Sequence, residues 1–146
     1  MKILVAVDLS ESTEKIVKEV EKIAQALSAK VYLLHVAEPE PDFVGFEVGP
    51  QTVRDSLSIS FHGKHRQLQT MAERLREARL DTTALLVQGA TAETILNEAL
   101  KLDVDMIAVG SHGRGAMRKL LVGSVSEGVL HKSECPILVV PTHGRT

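Results

Sequence analysis

Aromatic side chains are nearly missing from this sequence. Among 146 residues there is no Trp, one Tyr and three Phe. Any core must therefore be aliphatic. A single cysteine, Cys135, excludes an internal disulfide and suits a reducing compartment. Surplus charge is absent too: the net charge of −2 leaves no electrostatic footprint for DNA or RNA. Long apolar runs are lacking as well. The opening MKILVAVDLS places only ILVAV between Lys2 and Asp8, too little for a signal-peptide core or a membrane span. A soluble cytoplasmic protein is the expectation. Apolar residues at 44% argue against a disordered chain, and the length suits one domain over residues 1–146.

What is present is a regular alternation. Short aliphatic runs stand at 3–7 (ILVAV), 31–36 (VYLLHV), 83–87 (TALLV), 104–110 (VDMIAVG) and 136–140 (PILVV). Nearly continuous runs of this kind are the pattern of strands buried on both faces of a parallel sheet. Helical spacing fills the gaps. Ile16, Val20, Ile23 and Leu27 share one stripe, with Ser10, Ser12 or Thr13 available to start the helix. Leu57, Phe61, Leu68, Met71, Leu75 and Ala78 form a longer one. Ile95, Leu96, Ala99 and Leu100 mark a third helix with Thr91 as its N-cap, and Val125, Val129 and Leu130 a fourth behind a Ser124-x-x-Glu127 capping box. The order βαβαβαβαβ predicts an open parallel sheet with helices on both faces and right-handed crossovers. Ligands in such folds bind at the carboxyl ends of the strands, near the switch in strand order. The acidic, Pro- and Gly-containing segment 37–50 reads as a crossover loop or as a lid.

Two loops at those strand ends carry unusual chemistry: Asp8-Leu9-Ser10 after the first run and VGSHGRGAMRKLLVGSVSEGVL (109–130) after the fourth. The second holds Gly110, Gly113, Gly115 and Gly123, yet it is neither a P-loop nor a dinucleotide fingerprint in spacing or place. The physics of those motifs survives. Glycine lets backbone N–H groups approach an anion, and the helix start at Gly123-Ser124-Val125 offers unpaired N–H groups and partial positive charge. The alternative is that each glycine makes a turn and Ser124 is only an N-cap.

The spacing Gly110-x-x-Gly113, nine residues, then Gly123-Ser124 matches G-2x-G-9x-G-[S/T]. With ILVAVDLS, VGSHGRG, LLVGSVSEGVL and CPILVV around it, the whole chain resembles the ATP-binding branch of the universal stress protein family. That resemblance implies a Rossmann-like, adenine nucleotide alpha hydrolase-like fold with strand order 3-2-1-4-5. It implies ATP as the ligand, with ADP and AMP as alternatives, and Mg²⁺ held mainly by the phosphates. Residue by residue, it places Asp8 at the nucleoside, Val36 at adenine through its backbone, and Val109 and Gly110 beside the ribose. Gly113, Gly123, Ser124 and Val125 form the phosphate cradle. Some ATP-bound relatives carry Pro-Thr before the aspartate; here Ala6 and Val7 stand there, so a side-chain contact is lost and backbone contacts remain. In relatives the last strand pairs across a twofold axis, which makes Ile137, Val139 and Val140 the homodimer candidates.

Other residues divide more plainly. Arg114, Arg118 and Lys119 either neutralise phosphate or form a solvated loop face. His112 lacks an orienting carboxylate in the sequence, so no catalytic residue is assigned. His35 reads as a satisfied core histidine, and His62 and His65 lack partners for a metal site. Cys135 reads as a small buried hydrophobe. The expected role is a nucleotide-dependent stress-response or signalling module. A slow ATPase with Arg114 on the phosphate, and a nucleotide-independent dimeric partner-binding protein, are the alternatives.

Overall fold

The computed structural model describes residues 1–37, 50–111 and 131–142. Its elements run β1 (Lys2–Ala6), α1 (Thr13–Leu27), β2 (Lys30–Ala37), α2 (Pro50–Glu77), β3 (Thr82–Gln88), α3 (Thr91–Leu102), β4 (Met106–Gly110) and β5 (Ile137–Val140). The strands form one parallel sheet in the order β3-β2-β1-β4-β5. All five aliphatic runs are strands, and the expected order is the observed one.

The period-2 geometry of the strands sorts the core into two layers. Ile3, Val5 and Val7 of the β1 segment, with Val31 and Leu33 of β2, pack with Ile16, Val17 and Val20 of α1 and Leu68, Ala72 and Leu75 of α2. Leu4, Ala6, Tyr32, Leu34 and Val36 face the other way and pack with Ile95 and Ala99 of α3. The connections explain this sorting. Passing from β1 to β2 and from β2 to β3 moves outward in one direction, so right-handed crossovers put α1 and α2 on one face. The step from β3 to β4 reverses direction and puts α3 on the other. The central strands β1 and β2 are almost wholly buried, whereas edge strand β3 is mostly half-buried.

Helix boundaries depart from expectation in instructive ways. Ser12 is the N-cap residue of α1, yet its side chain makes no capping bond. Ala90, not Thr91, is the N-cap residue of α3; Thr91 is already helical and is buried. At their carboxyl ends α1, α2 and α3 stop in the same manner, without glycine. Ser28, Arg79 and Asp103 take left-handed φ values of 51°, 68° and 54°. The next amide then reaches back into the helix: Ala29 to Ala24, Leu80 to Leu75 and Val104 to Ala99. Ala29, Leu80 and Val104 are buried, which supplies the hydrophobic contact of this motif. Among the described residues no helix is long and apolar enough to cross a membrane.

Candidate functional site

The reversal in strand order falls between β1 and β4, which pair through Ile3–Met106, Leu4–Ile107 and Val5–Ala108. In open parallel sheets the carboxyl ends of two strands at such a reversal border the ligand crevice. Ala6, Val7 and Asp8 lie at one lip and Val109 and Gly110 at the other.

The β1 lip is organised by Asp8. Its Oδ1 accepts from the Ser10 amide at 2.9 Å, from Ser10 Oγ at 2.5 Å and from Thr13 Oγ1 at 3.4 Å. A carboxylate bonded to the amide two residues on closes a tight turn. Between the bonded residues, Leu9 is driven to φ 61°, a left-handed conformation that costs a branched L-residue about 1–2 kcal/mol. Strain of this size persists only where the surroundings enforce it. Here the enforcing groups are the Asp8 bonds and the packing of Leu9 against the core. Asp8 thus shapes the turn ahead of α1.

Behind this lip stands His35 of β2. It is 7% exposed, and its Nδ1 donates to the Val7 carbonyl at 2.8 Å. Among the described residues its Nε2 is buried with no partner. Burial pushes the imidazole below its ordinary value of 6.5. The bond to Val7 opposes this, the Lys64 charge adds to it, and the Asp8 charge opposes it. Among the described residues, the expected satisfied core histidine is therefore satisfied on one nitrogen only.

The β4 lip works by contact. A Cβ on Gly110 would lie 2.8 Å from Ile16 Cδ1 and 2.9 Å from Thr142 Cγ2. Glycine at 110 thus lets β4 pass close to α1 and to the chain leaving β5, a reason separate from anion approach. One residue on, the Ser111 amide donates to the Val140 carbonyl at 2.8 Å, and Ser111 Oγ accepts from the Thr142 amide at 3.0 Å. The Thr142 carbonyl in turn accepts from Lys15 Nζ at 3.4 Å. Ser111, next to Gly110, is in this way tied to the exit of β5.

Of the sequence-predicted site residues, Ala6, Val7, Asp8, Val109 and Gly110 meet at the crevice. Val36 lies at the carboxyl end of β2, two positions past the β1-paired Leu34, and is 8% exposed. Gly113, Arg114, Gly123, Ser124 and Val125 lie outside the described residues, as do Gly115, His112, Arg118 and Lys119, the predicted fourth helix up to Leu130 and segment 38–49. His62 and His65 are exposed on α2. No group of three His, Cys, Asp or Glu able to hold a metal occurs among the described residues. Cys135 is half-buried beside Ser133, whose Oγ donates to the Cys135 carbonyl at 2.8 Å. Sequence reasoning missed the strained Leu9 and the Ser111–Thr142 tie. It singled out His35 and Gly110 but did not foresee the Val7 partner of the first or the packing role of the second.

An open groove of about 730 Å³ lies elsewhere, between α1 and edge strand β5, where Lys15, Lys18, Lys22, Leu138 and Val139 line it. It flanks the sheet and does not coincide with the crevice. On the candidate dimer strand, Val139 is 42% exposed, Ile137 is half-buried and Val140 is turned into the core at 3%. What the crevice offers chemically is a carboxylate acceptor, a fixed turn and close-packed walls, a combination suited to holding a polar small molecule in one orientation.

Comparison with known proteins places this arrangement. The model of the universal stress protein family matches residues 1–141. A universal stress protein of Thermus aquaticus, described as lying in the QAH/OAS sulfhydrylase 3′ region, is 32% identical over 94% of this chain and 96% of its own. The solved structure of MJ0577 from Methanocaldococcus jannaschii superposes with a TM-score of 0.75 at 30% identity, covering 99% of this chain and 97% of that one. A universal stress protein solved in complex with cAMP superposes with a TM-score of 0.67 at 23% identity, covering 98% of each chain.

Proposed function

The chain belongs to the universal stress protein family, and on that premise we propose that it is a member that binds an adenine nucleotide at the β1–β4 crevice. ATP is the proposed ligand, with ADP and AMP as alternatives, and Mg²⁺ travels with it on the phosphate oxygens. The protein acts as a cytoplasmic, single-domain stress-response or signalling module whose state follows nucleotide occupancy. One observation carries this reading. The Asp8 turn and the Gly110 exit stand side by side at the switch in strand order, and Gly110 opens the G-2x-G-9x-G-S spacing. The cAMP complex of a structural relative is consistent with it.

In this reading the Asp8 carboxylate accepts from a ribose hydroxyl or the adenine amino group. The backbone of Ala6, Val7 and Val36 borders the base, and Val109 and Gly110 border the sugar. Gly113, Arg114, Gly123, Ser124 and Val125 take the phosphates through main-chain N–H groups and one cation. Mass analysis of ligand released from the purified protein, with ATP calorimetry, tests the proposal. Adenine nucleotide in the first or saturable binding in the second is the expected result. Neither together would remove it.

The proposed assembly is a homodimer through β5, with Ile137 and Val139 at the seam and Val140 contributing backbone. Exposed Val139 on an edge strand supports this. Val139→Lys should convert a sedimenting dimer to monomer while leaving the circular dichroism spectrum unchanged.

A further inference from the structure

His35 is a costly residue for its place in β2. Leu33, two residues before it and so on the same face of the strand, is aliphatic and buried, and an aliphatic side chain at 35 would suit that layer. The imidazole instead leaves Nε2 buried and unpaired among the described residues. Burying an unpaired polar atom costs about 1–3 kcal/mol, so the packing of β2 does not explain the histidine. The explanation lies at its other nitrogen.

Val7 is where β1 leaves the sheet. Its amide still donates to the Leu34 carbonyl at 2.9 Å, extending the ladder by one bond. Its own carbonyl accepts from the His35 side chain. Val7 is 1% exposed, so this carbonyl needs a donor from within the protein. A carbonyl only accepts, which fixes the proton on Nδ1 and leaves Nε2 as a bare lone pair. Burial keeps the ring neutral at ordinary pH, in agreement with that tautomer. The Val7–Asp8 peptide is planar and trans, so a bond to its carbonyl also sets the direction of the Asp8 N–H, opposite to the imidazole. Asp8 then begins the strained turn already described.

We propose that His35 is a positioning residue, whose Nδ1–H clamps the Val7 carbonyl and so fixes the Val7–Asp8 peptide for the nucleoside end of the ligand. This rests on the nucleotide reading of the crevice. His35 itself acts from behind the strand end and does not touch the ligand.

Full-length wild type, His35→Leu, His35→Asn and His35→Gln test the clamp at a temperature where each is fully folded by circular dichroism. The Asn amide nitrogen can occupy the place of Nδ1, whereas the Gln amide reaches the place of Nε2. Calorimetry uses three probes: MgATP, adenosine and magnesium tripolyphosphate. His35→Leu and His35→Gln should weaken MgATP and adenosine about tenfold, the effect of roughly one lost orienting hydrogen bond. Tripolyphosphate affinity should not move, and His35→Asn should stay within about threefold of wild type. Wild-type affinity in His35→Leu, no rescue by His35→Asn, or equal loss on tripolyphosphate would each overturn the clamp. If wild type binds no adenine nucleotide, the nucleotide reading fails by itself. The clamp is then judged by ¹⁵N spectroscopy of His35 and by hydrogen exchange at the Asp8 amide. An Nδ1–H tautomer, with Asp8 exchange faster in His35→Leu and restored in His35→Asn, supports it. An Nε2–H tautomer or unchanged exchange ends it.

Discussion

At the end of β1 the backbone is held by polar side chains. Asp8 gathers the Ser10 amide, the Ser10 hydroxyl and Thr13, and His35 takes the Val7 carbonyl. At the end of β4 close packing joins the Ser111 bonds to Val140 and Thr142: Gly110 passes between Ile16 and Thr142, where a Cβ would force both side chains to shift. The two ends border one crevice yet answer to different forces. Directional bonds set orientation and respond to pH. Close packing sets distance and responds to volume. A site that must orient one end of a ligand and approach the other closely has use for both.

The sharpest way to break this contrast is to add volume at the packed end. Gly110→Ala should cost about 1–3 kcal/mol in urea unfolding, because Ile16 and Thr142 must shift. Adding Ile16→Val removes the Cδ1 atom and should recover part of that loss, so the double-mutant cycle should show favourable coupling. No coupling would mean that Gly110 serves some purpose other than helix approach.

The polar end should respond to acid instead. His35 has a folded-state value lowered by burial, with Lys64 adding to the lowering and the Val7 bond and Asp8 opposing it. Above about pH 6.5 the ring is neutral in both folded and unfolded chains, and its full contribution to stability is present. As the pH falls below that value the unfolded chain takes up a proton that the folded one resists. Stability then drops, by at most about 1.4 kcal/mol per pH unit for one proton, until the lowered folded value is reached. His35→Asn should remove this part of the slope, whereas Gly110→Ala should leave it in place. Chemical denaturation across pH 5 to 8, a span chosen around the unperturbed histidine value, checks both.

Asp8→Ala should cost about 1 kcal/mol through the lost turn bonds, and Asp8→Asn less, since one oxygen acceptor remains. If Asp8→Asn costs as much as Asp8→Ala, the charge and not the acceptor geometry holds the turn. The smallest effect should come from Glu14→Ala, which breaks the exposed Arg74–Glu14 pair between α2 and α1. Its thermal shift should correspond to no more than about 0.5 kcal/mol. A larger value would show that the face shared by α1 and α2 contributes to the β1 lip.

Much of this architecture is legible in the sequence. The aliphatic runs marked all five strands because parallel strands buried on both faces leave little room for other residues. Asp8, Val109 and Gly110 could be placed at the crevice because strand ends follow from strand positions. What escaped was set by tertiary contact. Ile16 and Thr142 are far from Gly110 in the chain, so the glycine read as an anion approach or a turn residue, and its packing role did not show. A histidine inside an aliphatic run gives no sign of which nitrogen will find a partner. Leu9 shows no preference for a left-handed turn; the Asp8 bonds impose it. Thr91 resembles an N-cap by type, yet it lies one residue inside α3.

The helix ends were hidden for a related reason. Ser28, Arg79 and Asp103 take a backbone conformation that glycine adopts at less cost, so the usual stop signal is missing from the sequence. All three precede the amino ends of strands β2, β3 and β4, the pole of the sheet farthest from the crevice. Stability can therefore be raised at a distance from the candidate site: glycine at any of these three joints offers a way to harden the molecule for engineering while the opposite pole of the sheet stays as it is.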